Sequence, residues 1–196
     1  SIDLTFHQYL LMTDEPILFH TGNVRQASEL IPQLKGQLND KQLKYVFVSH
    51  FEADECGGLS LVLENFPEAK VICSEVTSNQ LKGFGFDFPT IIKKPGDELN
   101  SSSYNLEFIN YPSEIHLWDG LLVLENERGI FFSSDLMISF GKSIDIADST
   151  WESLVDNIEP YKVPDPEKLE QLKEDLKPLS PKFVAVGHGS CLRINS

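Results

Sequence analysis

The stretch that decides the fold reads Ser49-His50-Phe51-Glu52-Ala53-Asp54-Glu55-Cys56-Gly57-Gly58. It follows the apolar run Tyr45-Val46-Phe47-Val48, which is typical of a buried strand. Three potential metal ligands, His50, Glu52 and Asp54, occupy alternate positions after that strand. Because side chains at a strand end repeat with a period of two, all three can point into one pocket. One imidazole and two carboxylates in this arrangement predict part of a metal site that needs further ligands.

Further potential ligands stand where other apolar segments end. His116 lies in a strand-like segment just ahead of the turn signal Asp119-Gly120, and Asp135 follows the apolar segment 130–134. His188 follows the apolar run 183–186 and is flanked by glycines, which allow a sharp turn and a close approach. Taken singly, each residue has an ordinary explanation as a cap, a turn residue or a hydrogen-bonded side chain. Taken together, ligand types at four strand ends predict one metal site.

Length and composition limit the classes of function. The chain has 196 residues, of which 41% are hydrophobic, and its net charge is −14. This length supports one sizeable core, so we predict a single domain over residues 1–196. An acidic surface repels phosphate groups, which argues against nucleic acid and membrane partners. No apolar run approaches the roughly 20 residues of a membrane helix, and no secretion signal is evident, so we expect a cytoplasmic location.

The cysteines and the hydrophobic periodicity add two expectations. Cys56, Cys73 and Cys191 are odd in number and show no CxxC spacing, which fits a reducing compartment without a disulfide framework. Cys56 follows Asp54 closely, but we interpret it as a packing residue. Periodicity predicts helices at 24–38, 59–66, 75–81, 151–158 and 166–176, and strands at 6–12, 16–19, 45–48, 71–73, 90–92, 105–110, 115–118, 121–125, 129–132 and 183–186. The two similar halves favour two sheets packed face to face with helices outside.

This constellation resembles the metallo-β-lactamase superfamily, and within it the diiron branch formed by flavodiiron proteins and their stand-alone oxygen-binding relatives. The hydrolases of the superfamily carry a H-x-H-x-D-H motif, whereas the diiron branch carries H-x-E-x-D, as in His50-Phe51-Glu52-Ala53-Asp54. The resemblance covers nearly the whole chain, from Phe6 to His188. It implies an α/β fold of the metallo-β-lactamase type, an αββα sandwich.

The resemblance also implies two metal ions shared among six residues. Those six are His50, Glu52 and His116 on one ion, Asp54 and His188 on the other, and Asp135 as the bridge. The implied cofactor is a pair of iron ions, and the oxygen-rich ligand set favours iron or manganese, with zinc still possible. His7 and His20 match no ligand of the family, and we interpret them as ordinary histidines.

Glu55 departs from the family pattern, because many relatives have histidine directly after the aspartate. Three roles stay open for it: a seventh ligand, a hydrogen-bond acceptor behind a ligand imidazole, or a surface residue. We favour the acceptor. Glu55 in place of histidine therefore leaves open whether this protein has the catalytic turnover of flavodiiron reductases.

Two classes of function follow from these residues. The first is a non-haem diiron protein that binds or reduces O2, or NO. It would act as an oxygen sensor with a signalling partner, or as a reductase core served by an external flavoprotein or rubredoxin. No Gly-rich loop opens a helix, so we expect no flavin on this chain, and a homodimer is implied by the family. The alternative is a dinuclear zinc hydrolase for thioesters or lactones, which would favour histidine at position 52.

Overall fold

The computed structural model of the protein describes residues 3–113, 118–141 and 145–195. The helices in these ranges are α1 (Val24–Leu38), α2 (Ala53–Cys56), α3 (Leu59–Asn65), α4 (Glu75–Gly83), α5 (Trp151–Asp156) and α6 (Pro166–Leu176). The strands are β1 (Tyr9–Leu11), β2 (Ile17–Phe19), β3 (Tyr45–Phe47), β4 (Lys70–Cys73), β5 (Thr90–Ile92), β6 (Glu98–Asn100), β7 (Asn105–Ser113), β8 (Trp118–Glu125), β9 (Ile130–Ser134), β10 (Ile146–Ser149), β11 (Phe183–Val186) and β12 (Cys191–Ile194).

The strands form two sheets that share an apolar core. The first sheet has the order β1-β2-β3-β4-β5, with β1 antiparallel to β2 and the other pairs parallel. The second sheet has the order β10-β12-β11-β9-β8-β7-β6 and is mixed. Phe19 of the first sheet stacks on Phe132 of the second, with ring centroids 3.6 Å apart. Phe47 and Phe108 meet in the same layer. Burial of these aromatic faces holds the two sheets together.

Helices cover the outer face of each sheet. Ile31 and Leu34 of α1 pack with α3 against the apolar side of the first sheet. Trp151 and Val155 of α5, together with Leu172 of α6, pack against the outer side of the second. The αββα arrangement predicted from the sequence is confirmed.

Local signals set the helix starts. Asn23 accepts a hydrogen bond from the backbone N–H of Gln26, whose side chain bonds back to the Asn23 N–H, a capping box at the start of α1. The Ser74 hydroxyl caps α4 by accepting a hydrogen bond from the Thr77 N–H. Asp165 caps α6, which begins with Pro166. These caps explain why helices 24–38 and 166–176 begin where the sequence predicts.

One predicted turn is wrong for a physical reason. Asp119 and Gly120 lie inside β8, and Gly120 pairs with Tyr111 of β7. A Cβ at Gly120 would lie 2.8 Å from the backbone oxygen of Ser49. The glycine therefore permits a close approach between β8 and the loop after β3. The strands β6, β10 and β12 were not predicted, since each has only three or four residues and none of them is buried.

Candidate metal centre

The motif at residues 50–54 begins in the loop after β3 and ends in α2, and does not lie on an extended strand. β3 ends at Phe47, and bends carry the chain through His50 towards Glu52. Asp54 lies in the first turn of α2, which begins at Ala53. The expected strand period of two is therefore the wrong explanation for the alternate spacing. A loop followed by a helical turn orients the three side chains instead.

Hydrogen bonds to β8 fix this loop. The Ser49 hydroxyl donates to the Leu121 carbonyl at 2.7 Å, and the Leu121 N–H donates to the Ser49 carbonyl at 3.1 Å. The Val48 N–H donates to the carbonyl of Ile72 on β4. Ser49 is thus held to the second sheet and Val48 to the first, which places the His50 imidazole at the edge where the two sheets meet.

Asp135 and His188 are brought together by two neighbouring parallel strands. Asp135 follows β9, and His188 follows β11 after Gly187. The Gly187 N–H donates to the Ser134 carbonyl at 2.9 Å. Because the carboxyl ends of parallel strands lie at the same edge of a sheet, both side chains reach the loop that carries His50.

The described residues form two groups around Asp135. In the first group, Nε2 of His50 lies 3.0 Å from Oε2 of Glu52. In the second, Nε2 of His188 lies 3.2 Å from Oδ2 of Asp54. Oδ2 of Asp135 lies 3.6 Å from His50 Nε2, and its Oδ1 lies 3.2 Å from His188 Nε2. These distances are compatible with the two sets of ligands that the sequence implies, and the assignment stays a prediction.

The sixth predicted ligand, His116, lies outside the described residues. One ligand atom each from His50, Glu52 and Asp135 lies within 4.8 Å of the others, a spacing that suits a metal ion. Glu52 is the most open of the five described candidates, with its side chain 36% exposed, whereas His50 is only 3% exposed. The site is thus walled by protein on the imidazole side and reachable from solvent on the carboxylate side.

In both histidines, Nδ1 points away from the predicted ligand carboxylates of Glu52, Asp54 and Asp135. Nδ1 of His188 donates to the Thr5 carbonyl at 2.7 Å. Nδ1 of His50 lies 3.4 Å from the hydroxyl oxygen of Ser134. With the proton on Nδ1, the lone pair of Nε2 points at the carboxylates in each ring. This is the tautomer that metal-binding histidines use.

Charge shifts the pKa values of these groups in the metal-free protein. Burial by itself lowers the pKa of His50, but Glu55, Glu52 and Asp135 outweigh it and raise the pKa to about 9. Burial also opposes protonation of His188, whose pKa rises to about 10 through its contacts with Asp135 and Asp54. Without metal, two imidazolium groups therefore balance the carboxylates. A metal ion would replace these protons as the positive charge.

The carboxylate of Asp135 gives a direct test of fit to a metal. Burial raises its pKa, but His188 and His50 dominate and lower it to about 2. Its Oδ1 is buried and has no hydrogen bond of good geometry from the described residues. Its backbone oxygen accepts from Nζ of Lys162 at 2.9 Å, which fixes the chain at this point. An ionised, buried oxygen that lacks a well-directed donor suits a cation.

Glu55 and His20 form a buried pair next to the site. The Glu55 side chain is 3% exposed, so it is not a surface residue. Its Oε2 lies 2.6 Å from Nε2 of His20, at angles that are poor for a hydrogen bond. The Ser134 hydroxyl donates to its Oε1 at 2.8 Å. Sequence reasoning missed His20, although it follows the apolar run of β2 as the other candidates follow theirs.

His7 also contacts the edge of the site. Its Nε2 donates to the Gly189 carbonyl at 2.7 Å, directly after His188. Cys56 is buried and in the apolar core beside α1 and α3, which agrees with its interpretation as a packing residue.

Comparison with known proteins identifies the family. A family model described as "ODP family beta lactamase" matches residues 4–189. The chain belongs to this family. Its fold matches that of flavodiiron proteins, whose solved structures share the same metallo-β-lactamase-like core.

Proteins with similar sequences include a nitric oxide reductase and a coenzyme F420H2 oxidase. The ODP family chain is 29% identical over 142 residues to a nitric oxide reductase of Moorella thermoacetica, covering 71% of this chain and 35% of that protein. It is 27% identical over 150 residues to a coenzyme F420H2 oxidase of Methanothermobacter marburgensis, covering 71% of this chain and 35% of the relative. The chain thus spans about a third of the length of these relatives.

Solved structures agree over almost all of the chain. Rubredoxin oxygen:oxidoreductase from Desulfovibrio gigas matches with a TM-score of 0.81 and 19% identity, covering 98% of this chain and 50% of that one. The flavodiiron protein from Giardia intestinalis matches with a TM-score of 0.80 and 19% identity, covering 98% of this chain and 49% of the other. Among the described residues, no helix has both the length and the hydropathy needed to cross a membrane.

Proposed function

We propose that this ODP family protein holds two iron ions and uses them to bind or reduce O2 or NO. The observation that carries the proposal is the position of Asp135 between two imidazoles, with one carboxylate oxygen towards His50 and the other towards His188. A carboxylate that faces two ligand groups in this way suits a bridge between two metal ions. The relatives named as nitric oxide reductase and as flavodiiron protein support the same class of chemistry.

The ligand chemistry favours iron over zinc. Three carboxylates, from Glu52, Asp54 and Asp135, accompany the histidines, and oxygen ligands of this kind suit iron or manganese. His116 would complete the first group of ligands. A pair of ferrous ions held by these residues would supply two electrons for the reduction of a diatomic molecule. We therefore propose iron as the resident metal, with manganese and zinc as competitors.

The protein's own residues would keep the ligands in place and limit access of water. The ring of Phe6 meets the ring of His188 edge-on, with centroids 5.0 Å apart. Tyr111 meets His50 in the same way at 5.9 Å. These aromatic edges restrict rotation of both imidazoles and exclude water from the imidazole side. A small diatomic molecule would then enter from the carboxylate side, beside Glu52.

Continued reduction would need electrons from outside the site. We propose an external donor, a flavoprotein or rubredoxin, for a reductase, or a signalling partner for an oxygen sensor. The name of the matched structure from Desulfovibrio gigas, rubredoxin oxygen:oxidoreductase, supports a donor of this kind. A cytoplasmic homodimer is part of the same proposal.

Anaerobic loading with Fe2+ tests the proposal. Iron content and visible absorption would be measured before and after the addition of O2 or NO. We expect two irons per chain and an absorption change on adding either gas. Zinc retained in the presence of excess Fe2+, no change with either gas, and rapid cleavage of a thioester or lactone would favour the zinc hydrolase.

A further inference from the structure

Three buried polar side chains lie behind His50, on the side away from the carboxylates. They are His20, Glu55 and Ser134, and we call them the buried triad. His20 is 4% exposed, Glu55 is 3% and Ser134 is 2%. His20 follows β2, Glu55 is in α2, and Ser134 ends β9, so the triad joins one strand of each sheet to a helix.

The contacts within the triad fix the direction in which the Ser134 hydroxyl donates. The Ser134 hydroxyl donates to Oε1 of Glu55, so its proton is not available to His50. The oxygen of Ser134, 3.4 Å from Nδ1 of His50, can then only accept. The other oxygen of Glu55 lies 2.6 Å from Nε2 of His20, a close polar contact between two buried side chains. The chain of contacts therefore favours the tautomer of His50 with its proton on Nδ1.

His20 and Ser134, two members of the triad, have unusual backbone conformations. His20 has a φ of 63° and Ser134 a φ of 45°, a left-handed conformation that costs free energy for residues other than glycine. The His20 N–H donates to the Phe47 carbonyl at 2.9 Å, and the Thr21 N–H donates to the Glu55 carbonyl at 2.8 Å. The surrounding structure thus holds His20 and Glu55 together in spite of the unfavourable conformation.

We propose that His20 is a positioning residue of the metal centre, which acts on His50 through Glu55 and Ser134. By holding the Glu55 carboxylate, it keeps the Ser134 hydroxyl turned away from His50, so that Nδ1–H of His50 has an acceptor and Nε2 keeps its lone pair for the metal. His188 achieves the same with the backbone carbonyl of Thr5. The proposal rests on the proposed function, because it requires a metal at Nε2 of His50.

A charged acceptor adds an effect that a backbone carbonyl does not. A carboxylate behind a ligand imidazole fixes the ring and increases its electron donation to the metal, and loss of such partners costs about 10–100-fold in metal affinity. The nearer oxygen of Glu55 lies 4.0 Å from Nδ1 of His50, with Ser134 linking the two. With the triad behind it, His50 would therefore bind the metal more strongly than it would with a hydrogen bond to Ser134 alone.

Proton NMR of the anaerobic Fe2+-loaded protein tests this role directly. Metal-bound histidines give shifted Nδ1–H resonances that exchange with solvent, and these can be assigned by the contacts of His50 with Tyr111 and of His188 with Phe6. The variants are His20→Leu, His20→Gln and Ser134→Ala. The control is His7→Gln, because His7 contacts the Gly189 carbonyl beside His188 and no member of the triad.

We expect His20→Leu and Ser134→Ala to accelerate solvent exchange of the His50 Nδ1–H and to weaken Fe2+ binding about 10–100-fold, with the His188 resonance unchanged. His20→Gln retains a donor to Glu55 and should restore slower exchange. The control should alter the His188 resonance and leave that of His50 as it is. Ser134→Ala keeps the contact between His20 and Glu55, so it remains informative if His20→Leu, which leaves the buried Glu55 side chain without that partner, fails to fold.

Two results would overturn the proposal, and they differ. If the wild type binds Fe2+ and shows both resonances, but Ser134→Ala, together with His20→Leu where it folds, leaves the His50 exchange rate and the Fe2+ affinity unchanged, the positioning role is wrong and the diiron function stands. If the folded wild type binds no Fe2+ and shows no shifted resonance, the diiron function fails and the positioning role with it.

Discussion

Gly187 lies directly against the carboxylate of Asp135. A Cβ at Gly187 would be 3.0 Å from Oδ1 of Asp135 and 3.0 Å from the backbone oxygen of Ser134. Both contacts are closer than a methyl group normally makes, and the backbone oxygen of Ser134 cannot swing away as a flexible side chain would. The absence of a side chain at Gly187 is therefore what lets Asp135 sit between His50 and His188.

Gly187→Ala should displace the Asp135 carboxylate and weaken metal binding at least about tenfold. Overpacking at this position should also reduce the free energy of unfolding by about 1–3 kcal/mol. Titration with Fe2+ under argon and urea unfolding measure the two effects. Gly36→Ala is the matched control, since nothing lies within 4 Å of its Cβ position in α1. The control should gain about 0.5–1 kcal/mol of stability without any change in metal affinity. Equal metal affinity in both variants would show that Gly187 does not position Asp135.

Asp135→Ala should lose both metals together, because the carboxylate would be shared by the two ions. Asp135→Asn keeps the shape but removes the charge, so it should bind metal more weakly than the wild type and more strongly than Asp135→Ala. Elemental analysis after gel filtration gives the metal content per chain. If Asp135→Ala retains one tightly bound metal, Asp135 is a ligand of one ion and not the bridge.

Metal binding should release protons and strengthen as the pH rises. The pKa of His50 is about 9 and that of His188 about 10 without metal, so both imidazoles are protonated at neutral pH. The metal requires the unprotonated Nε2, and affinity should therefore increase up to pH 9–10. Calorimetric titration in two buffers of different ionisation enthalpy would count the protons. A binding enthalpy that is the same in both buffers would contradict these pKa values.

The same shifts predict how the stability of the metal-free protein depends on pH. A folded-state pKa raised above the ordinary 6.5 of histidine stabilises the fold fully below pH 6.5. That contribution is lost as the pH rises through about 9 for His50 and about 10 for His188. The melting temperature without metal should therefore fall over this range, whereas the metal-loaded protein should not show the fall. If the melting temperature changes with pH in the same way with and without metal, the raised pKa values of His50 and His188 are wrong.

Much of the fold could be predicted because its signals are local. The apolar spacing of α1, the caps at Asn23 and Asp165, and the apolar run of β11 are all contained in short segments. The turn predicted at Asp119-Gly120 was wrong because the reason for Gly120 is its approach to Ser49, which is 71 positions away in the chain. A distant contact of this kind leaves no periodic signal.

In the candidate site, too, features with a local sequence signal could be predicted, and features that depend on distant contacts could not. Ligand types at the ends of apolar runs indicated His50, Asp135 and His188, and the structure places them together. The alternate spacing of Glu52 and Asp54 suggested a strand, but α2 begins between them, and one helical turn is too short to show a period. His20 was missed because its significance depends on Glu55, and only the folded chain brings that pair into contact.

Glu52→His should change the choice of metal. The substitution replaces a carboxylate by a neutral imidazole, and one charge at roughly 4 Å and an effective dielectric of about 20 is worth on the order of 4 kcal/mol before relaxation. The loss of negative charge should favour zinc over iron and slow the oxidation of the ferrous protein by O2. Competition between Fe2+ and Zn2+, followed by elemental analysis, measures the preference. An unchanged preference and an unchanged oxidation rate would show that Glu52 does not act on the metal.

The measurement that tests the central claim most directly is O2 uptake by the anaerobically prepared, Fe2+-loaded protein, with iron content determined on the same sample. We predict two irons per chain and uptake of one O2 per chain without a donor, followed by continued uptake when a reduced flavoprotein or rubredoxin is added to a reductase. A sensor would stop after the first uptake. A protein that excludes iron, consumes no O2 and rapidly hydrolyses a thioester or lactone would contradict the account.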